Sequence, residues 1–320
     1  MSERDIEVVT VTLNPAIDLT LTVPHFTAGG VNRVESLHAR PGGKGVNVAS
    51  ALADFGHAVA VSGFLGGENG ATFEALFAEK GIEDHFLRTG GETRTGVKIF
   101  DPAQGHTTDI NFPGQPVAAG DVDSLLERLR SLAARGRPWF VLAGSLPPGA
   151  APETYRDLVR ALKAEGCRVL LDTSGAPLGA ALAAGPHVIK PNLRELEWLL
   201  GARLAGHGEV AGAARALLVG GVELAAVSMG SEGALFVTAD ETLLARAPEV
   251  RARSTVGAGD AMAAGIIAGR LAGLAPAEVA RLATAFSLDL LTREDASAFS
   301  RERVNGLMRE VTVERHDAGS

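Results

Sequence analysis

Short runs rich in Val, Ile and Leu alternate with longer stretches of helical spacing along most of this 320-residue chain, and that alternation is what limits its fold. Strands separated each time by a helix pair most readily in parallel, and a parallel sheet needs helices over both faces. Glu7 to Leu13 reads as a first buried strand that leaves the sheet at Asn14-Pro15. From Gly45, the spacing of Val46, Ala49, Leu52, Ala53 and Phe55 predicts a helix stopping at Gly56. A strand over Ala58 to Phe64 and a helix over Ala71 to Lys80 follow, the helix closed by Gly81. Later helices are expected at Ala119 to Ala134 and Pro152 to Glu165. Further strands are expected at Trp139 to Ala143, Cys167 to Asp172, Val188 to Lys190 and, after two helices, Glu223 to Ser228.

The alternation breaks once. Thr95 to Phe100 and His106 to Phe112 read as two strands joined by the turn-rich Asp101-Pro102-Ala103-Gln104-Gly105, so a hairpin sits inside the alternating chain. Together with Leu19 to Ala39 it can form a small β layer outside the main sheet. No repeat, low-complexity tract or long linker divides the sequence. The expectation is one α/β domain over residues 1–320, three-layered and doubly wound around a mostly parallel sheet, with a β layer formed by roughly 17–40 and 92–113.

Charge and cysteine content exclude several functions. Thirty basic residues against 38 acidic ones leave a net charge of −8, the wrong sign for a protein that must neutralise nucleic-acid phosphates. The single cysteine, Cys167, permits no intrachain disulfide and no thiolate zinc cluster. The eight histidines are scattered without ligand spacing. The start, Met1 to Asp5, is polar and acidic where a secretory signal is basic and then apolar, and the apolar stretch Ala261 to Gly269 ends at Arg270, too short to span a bilayer. A cytoplasmic protein with no membrane partner is expected.

Two glycine clusters carry the chemistry. In Ser254-Thr255-Val256-Gly257-Ala258-Gly259-Asp260, ahead of a small-residue helix, the glycines allow a sharp turn that aims several N–H groups at one point. Asp260 stands where a bound anion would lie. A carboxylate there repels a phosphate, yet it suits a base that takes a proton from an attacking hydroxyl while the amides hold phosphoryl oxygens. Taken alone, Gly-x-Gly-Asp is equally a helix cap. The second cluster, Pro41-Gly42-Gly43-Lys44-Gly45, also opens a helix and carries Asn47 on its first turn. It is not a Walker loop, because Gly45 follows Lys44 and His38 stands five before Gly43. No Gly-x-Gly-x-x-Gly follows the first strand, which disfavours dinucleotide binding.

Paired in this order, the two clusters resemble the signatures of the ribokinase-like (phosphofructokinase B) sugar kinase family. Thr12-Leu13-Asn14-Pro15-Ala16-Ile17-Asp18, Gly144-Ser145-Leu146-Pro147-Pro148-Gly149, Lys190-Pro191-Asn192 and Ser228-Met229-Gly230-Ser231-Glu232-Gly233-Ala234 fit the same pattern over roughly residues 7 to 300. The resemblance implies Asp260 as catalytic base, with the amides of Gly257, Ala258 and Gly259 as an anion hole. It implies that Asp18, Gly42, Gly43, Lys44, Asn47, Arg94, Asn111 and Ser145 meet the sugar substrate. Lys190, Asn192, Ser228, Gly230, Gly233, Gly257 and Gly259 would line the nucleotide, with Asn192 and, through water, Glu195 near magnesium. The β layer would be a lid over the site. ATP and Mg2+ are the implied cofactors; a monovalent cation and a homodimer through the lid stay open.

Lys44 and Arg94 are the cations that suit a phosphate already on the substrate. Thr93-Arg94-Thr95-Gly96-Val97-Lys98-Ile99 and Thr108-Asp109-Ile110-Asn111-Phe112-Pro113-Gly114 resemble the lids of members that act on ketohexose phosphates. The implied reaction is transfer of the ATP γ-phosphoryl group to O6 of fructose 1-phosphate. Tagatose 6-phosphate and fructose 6-phosphate are the alternative acceptors, and a non-catalytic sugar-phosphate sensor is the alternative of another class. The segment Phe286 to Leu291 departs from the family pattern, being bulkier and charged where relatives carry small residues near the adenine.

Overall fold

The computed structural model describes residues 5–250, 255–293 and 299–316; Ser254, at the start of the Ser254–Asp260 glycine cluster, and the extreme N-terminal residues 1–4 lie outside them. In chain order, the strands are β1 (Val8–Thr12), β2 (Ala16–Thr22), β3 (Ser36–Gly42), β4 (Val59–Gly66), β5 (Glu83–Thr89), β6 (Thr95–Asp101), β7 (His106–Asn111), β8 (Trp139–Ala143), β9 (Arg168–Asp172), β10 (Val188–Ile189), β11 (Leu224–Ser228), β12 (Ala234–Val237), β13 (Thr242–Arg246) and β14 (Thr312–Arg315). The helices are α1 (Lys44–Asp54), α2 (Ala71–Lys80), α3 (Ala119–Ala133), α4 (Thr154–Ala164), α5 (Gly175–Leu182), α6 (Leu193–Leu200), α7 (Gly206–Ala216), α8 (Ala258–Leu271), α9 (Pro276–Thr292) and α10 (Arg301–Leu307).

Ten strands form the main sheet in the order β14-β13-β12-β11-β10-β9-β8-β1-β4-β5. From β11 to β5 every pairing is parallel; β12, β13 and β14 add an antiparallel edge. The strand side chains alternate between two cores. Val8, Trp139 and Val141 pack with α1, α2, α8 and α9, whereas Val9, Val11, Phe140 and Leu142 pack with α3 to α7. Burial on both sides explains why these strands read as continuous apolar runs. Strand order runs outward in both directions from β1, so the crevice beyond its C-terminal end is the topological switch point at which open α/β sheets bind ligands. Among the described residues no helix is long and apolar enough to cross a membrane.

The second sheet has four strands in the order β3-β2-β6-β7. β2 pairs in parallel with β6, and the two outer pairs are antiparallel. The Asp101 carboxylate ties the β6–β7 turn to the chain leaving β2, accepting hydrogen bonds from the amides of His25, Phe26, Ala103 and Gln104.

The sequence reading differs from the structure at the edges. It has no strand between α2 and the hairpin, whereas β5 lies there on the outside of β4. Its Glu83, Asp84, His85 and Arg88 are the charges an edge strand carries to water, and they hide the apolar signal. The segment 286–291 proves to be packed within α9. Phe286 lies against Phe55 and Phe299, and buried Asp289 is paired with Arg293 at 2.9 Å and Arg303 at 2.6 Å.

α8 and α9 touch backbone to backbone at Gly265, where a Cβ would come within 2.6 Å of Ala283 Cα. Gly265→Val is therefore expected to lower unfolding stability by about 1–3 kcal/mol through overpacking, read as a lower urea midpoint at unchanged slope.

Candidate active site

The ends of β9, β10 and β11 and the starts of α1, α6 and α8 converge beyond the C-terminal edge of the sheet. Gly43 caps α1 and Gly257 caps α8, the latter with φ 85°, a left-handed turn that favours glycine and starts the helix abruptly. The amide of Ala258 donates to Thr255 O at 3.3 Å, a long contact, and Ser287 Oγ braces the Ala258 carbonyl from α9 at 2.8 Å. Asp260 follows on the first turn and is 7% exposed. Its Oδ2 accepts a hydrogen bond from Asn47 Nδ2 at 2.7 Å, so the two glycine clusters, 213 residues apart, meet at one carboxylate.

Around this pair lies a group of buried and half-buried charges. Lys44 Nζ donates to Asp172 Oδ1 at 2.8 Å and stands 3.8 Å from Glu195 Oε1. Lys190 Nζ is 3.1 Å from the other Asp172 oxygen and lies beside Gly259 at the start of α8. Asp172, wholly buried at the end of β9, is the functional position that motif reading missed. Its only signal in the sequence is an acid closing an apolar strand, where the C-terminal edge of a parallel sheet places ligand-facing groups.

The electrostatics are uneven. Burial pushes the Asp260 carboxyl up, the neighbouring Asp172 adds to this, and Asn47, Lys44 and Lys190 oppose it; the result is about 6. For Asp172 burial also acts upward, but the two lysines outweigh it and hold the carboxyl below the ordinary range. Burial works against the Lys44 charge, yet Asp172 and Glu195 keep the ammonium above its usual value.

Asp18 lies on β2 across a cleft of about 470 Å³ whose walls include Asn47, Gly257 and Ala261. Gly42 abuts its carboxylate. Asn192 caps α6 and forms a reciprocal box with Glu195: Asn192 Oδ1 accepts from the Glu195 amide, and Glu195 Oε2 from the Asn192 amide, both at 2.9 Å. Ser228 ends β11 and bridges to Asn192, and Gly230 and Gly233 flank the tight turn that follows. Arg94, Asn111 and Ser145 are set apart from the charge group. Asn111 pairs with Gly96 across the second sheet. The Ser145 hydroxyl accepts from Asn14 Nδ2 at 3.2 Å. The Arg94 guanidinium is held by three backbone carbonyls, those of Asn14, Pro15 and Phe112, so much of its donor capacity secures the start and end of the second sheet.

A buried carboxylate at a helix start, with lysines beside it at a sheet switch point, is the arrangement of a phosphotransferase site, and the chain belongs to the pfkB family of carbohydrate kinases, whose profile matches residues 5–302. It is 50% identical over 308 residues to the 1-phosphofructokinase of Rhodobacter capsulatus, covering 96% of this chain and 98% of that one. The 1-phosphofructokinase of Xanthomonas campestris is 45% identical over 313 residues, with 96% and 98% covered. Escherichia coli phosphofructokinase-2 in complex with potassium superposes with a TM-score of 0.88 at 27% identity, covering 95% of this chain and 98% of that one. The tetrameric inhibited form of the same protein gives 0.87 at 27%, with the same coverage. A kinase of this family works with ATP and a divalent metal.

The residues present fit both. Lys44, Lys190 and the start of α8 are the donors a triphosphate needs. Among the described residues no group of three His, Cys, Asp or Glu side chains could enclose a metal ion. A divalent metal held chiefly through phosphate oxygens and its own waters needs no such group.

The raised Asp260 pKa has a cost in stability. Its ordinary value is 3.8 and its folded value about 6, so folding favours the neutral form; this contribution is complete below pH about 4 and is lost as pH rises through about 6. Asp260→Asn is neutral throughout. It should be more stable than the native chain at pH 8 by roughly 2–3 kcal/mol, with the two melting curves converging near pH about 4.

Proposed function

We propose that the chain transfers the γ-phosphoryl group of ATP to O6 of fructose 1-phosphate, forming fructose 1,6-bisphosphate and ADP. The observation that carries this reading is the Asp260 carboxylate, buried at the N-terminus of α8 with one oxygen fixed by Asn47 and the other left to take a proton. Asp18 and Asn47 accept and donate hydrogen bonds to the sugar hydroxyls, Gly42 and Gly43 let the backbone approach the ring, and Arg94, Asn111 and Ser145 face the end of the acceptor that carries its phosphate. Asp260 removes the O6 proton as the oxygen attacks. The amides of Gly257, Ala258 and Gly259, with Lys44 and Lys190, oppose the negative charge gathering on the transferring group. MgATP, when bound, supplies that group and neutralises part of its charge, with Asn192, Ser228, Gly230 and Gly233 along the nucleotide and Glu195 reaching magnesium through water. The potassium complex of the structural relative supports a monovalent cation for this chain as well.

The second sheet acts as a lid that excludes water while the phosphoryl group moves. Its side away from Asp18 carries exposed Leu37 and Ile110, and a homodimer through this face would cover them. A single buried cysteine suits the reducing cytoplasm.

A coupled ADP assay over fructose 1-phosphate, fructose 6-phosphate and tagatose 6-phosphate should give the highest kcat/KM with the first. Preference for another sugar overturns the acceptor assignment, and binding without turnover of any overturns the kinase assignment in favour of a sensor. Asp260→Asn should keep ligand affinity and lower kcat by roughly two or more powers of ten. Because the base must be ionised, kcat/KM should fall about tenfold per unit below pH about 6 in the native chain.

A further inference from the structure

Lys98 belongs to none of the roles above, yet it stands at the acceptor end of the cleft. It lies on β6 opposite Thr20 of β2, on the face that also carries Asp18. Its side chain is 17% exposed and its ammonium is 3.7 Å from Asp18 Oδ1 and 3.3 Å from Asp109 Oδ1. Both Lys98 and Asp18 line the cleft that reaches Asn47 and Gly257. Lys98 and Asp109 are also direct cross-strand partners, so an ordinary surface pair is the competing account. That account leaves unexplained why the ammonium is drawn inward to within 3.7 Å of a second carboxylate in the cleft.

Asp18 needs such a partner. Burial raises its pKa, and a carboxyl that gains a proton loses acceptor capacity for hydroxyls. The groups facing it are Lys98 and Asp109 from the second sheet, Arg94 at the entry to β6, and Arg40, its cross-strand partner on β3. Lys98 is the strongest of the cations opposing protonation. Arg94 is held by backbone carbonyls.

We propose that Lys98 is a positioning residue for the sugar acceptor, holding Asp18 ionised and aimed into the cleft so that it can accept hydrogen bonds from the sugar hydroxyls. The proposal rests on the reading that Asp18 meets the acceptor.

The test compares the full-length native chain with Lys98→Met, Lys98→Arg and Asp109→Asn. It measures KM for sugar phosphate at saturating ATP, KM for ATP at saturating sugar phosphate, the pH dependence of both, and thermal melting. Lys98→Met should raise the acceptor KM about tenfold or more while leaving the ATP KM within about twofold. It should also move upward the pH below which acceptor binding weakens, because losing the cation raises the Asp18 pKa further. Lys98→Arg should recover most of the affinity, and Asp109→Asn should keep the native acceptor KM. If Lys98→Met and Asp109→Asn lower the melting temperature alike with native acceptor KM and pH profile, Lys98 is only a sheet pair and the proposal fails. It fails too if the acceptor and ATP KM values rise together. Each comparison uses whichever of the three ketohexose phosphates the native chain turns over fastest, or calorimetric binding of fructose 1-phosphate if it turns over none. A native preference for another sugar thus overturns the fructose 1-phosphate reading while the Lys98 comparison still stands.

Discussion

A wholly buried carboxylate, Asp172, sits between two ammonium groups, and the geometry of the crevice depends on that triad. Asp172 and Lys190 are taken out of water and Lys44 is half-buried, so the buried carboxylate is costly unless its two cations stay in place. The triad ties the end of β9 to the start of α1 and the end of β10, three elements that share no strand pairing at those points other than the β9–β10 ladder. Without Asp172, Lys44 and Lys190 would repel one another across the crevice. With it, both cations remain beside the start of α8 with donors to spare. In the proposed mechanism one acid thereby does for the anion site what the helix caps do for the backbone: it fixes the donors before any ligand arrives, which is the preorganisation that electrostatic catalysis requires.

The same acid affects Asp260. Its negative charge adds to desolvation in holding a proton on the base, while the lysines and Asn47 pull the other way. In the proposed mechanism this balance leaves Asp260 ionised near neutral pH and still able to accept a proton. Destabilising the fold by a buried ionised carboxylate is the counterpart of that reactivity.

How much of this the sequence discloses depends on how locally each feature is encoded. α2 and β8 are read to the residue from apolar spacing, and both glycine clusters are recognisable because a sharp turn before a helix demands glycine within a few positions. The small β layer is legible as a break in alternation. Edge strands are harder: β5 shows water its charged side chains, and β12 to β14 are short and antiparallel, so neither fits the βα rhythm. Asp172, Lys98 and the tethering of Arg94 escape sequence reasoning for a different reason. Each acquires its role from partners 80 or more residues away, or from a neighbouring strand whose register no local pattern fixes. An acid at a strand end looks the same whether it faces water or two lysines.

The second sheet then follows from the first. β1 leaves the main sheet at the switch point, and Asn14-Pro15 turns the chain at once into β2, so Asp18 is carried six residues beyond the end of β1 into the mouth of the crevice. β2 pairs with β3 on one side, delivering Gly42 and the start of α1, and with β6 on the other, delivering Lys98. The parallel pairing of β2 with β6 spans more than seventy residues of sequence and gives little stability by itself. What secures it is Arg94, whose guanidinium grips the carbonyls of Asn14 and Pro15 at the entry to β2 and of Phe112 beyond β7. A shift of this sheet against the main one would therefore carry Asp18 and Lys98 together, while Asp260, Asp172 and Lys190 stay with the main sheet and its helices. In the proposed mechanism, division of the site between a charge group on the main sheet and the separate, hydrogen-bonded second sheet lets the acceptor be gripped without disturbing the donors that await the phosphoryl group.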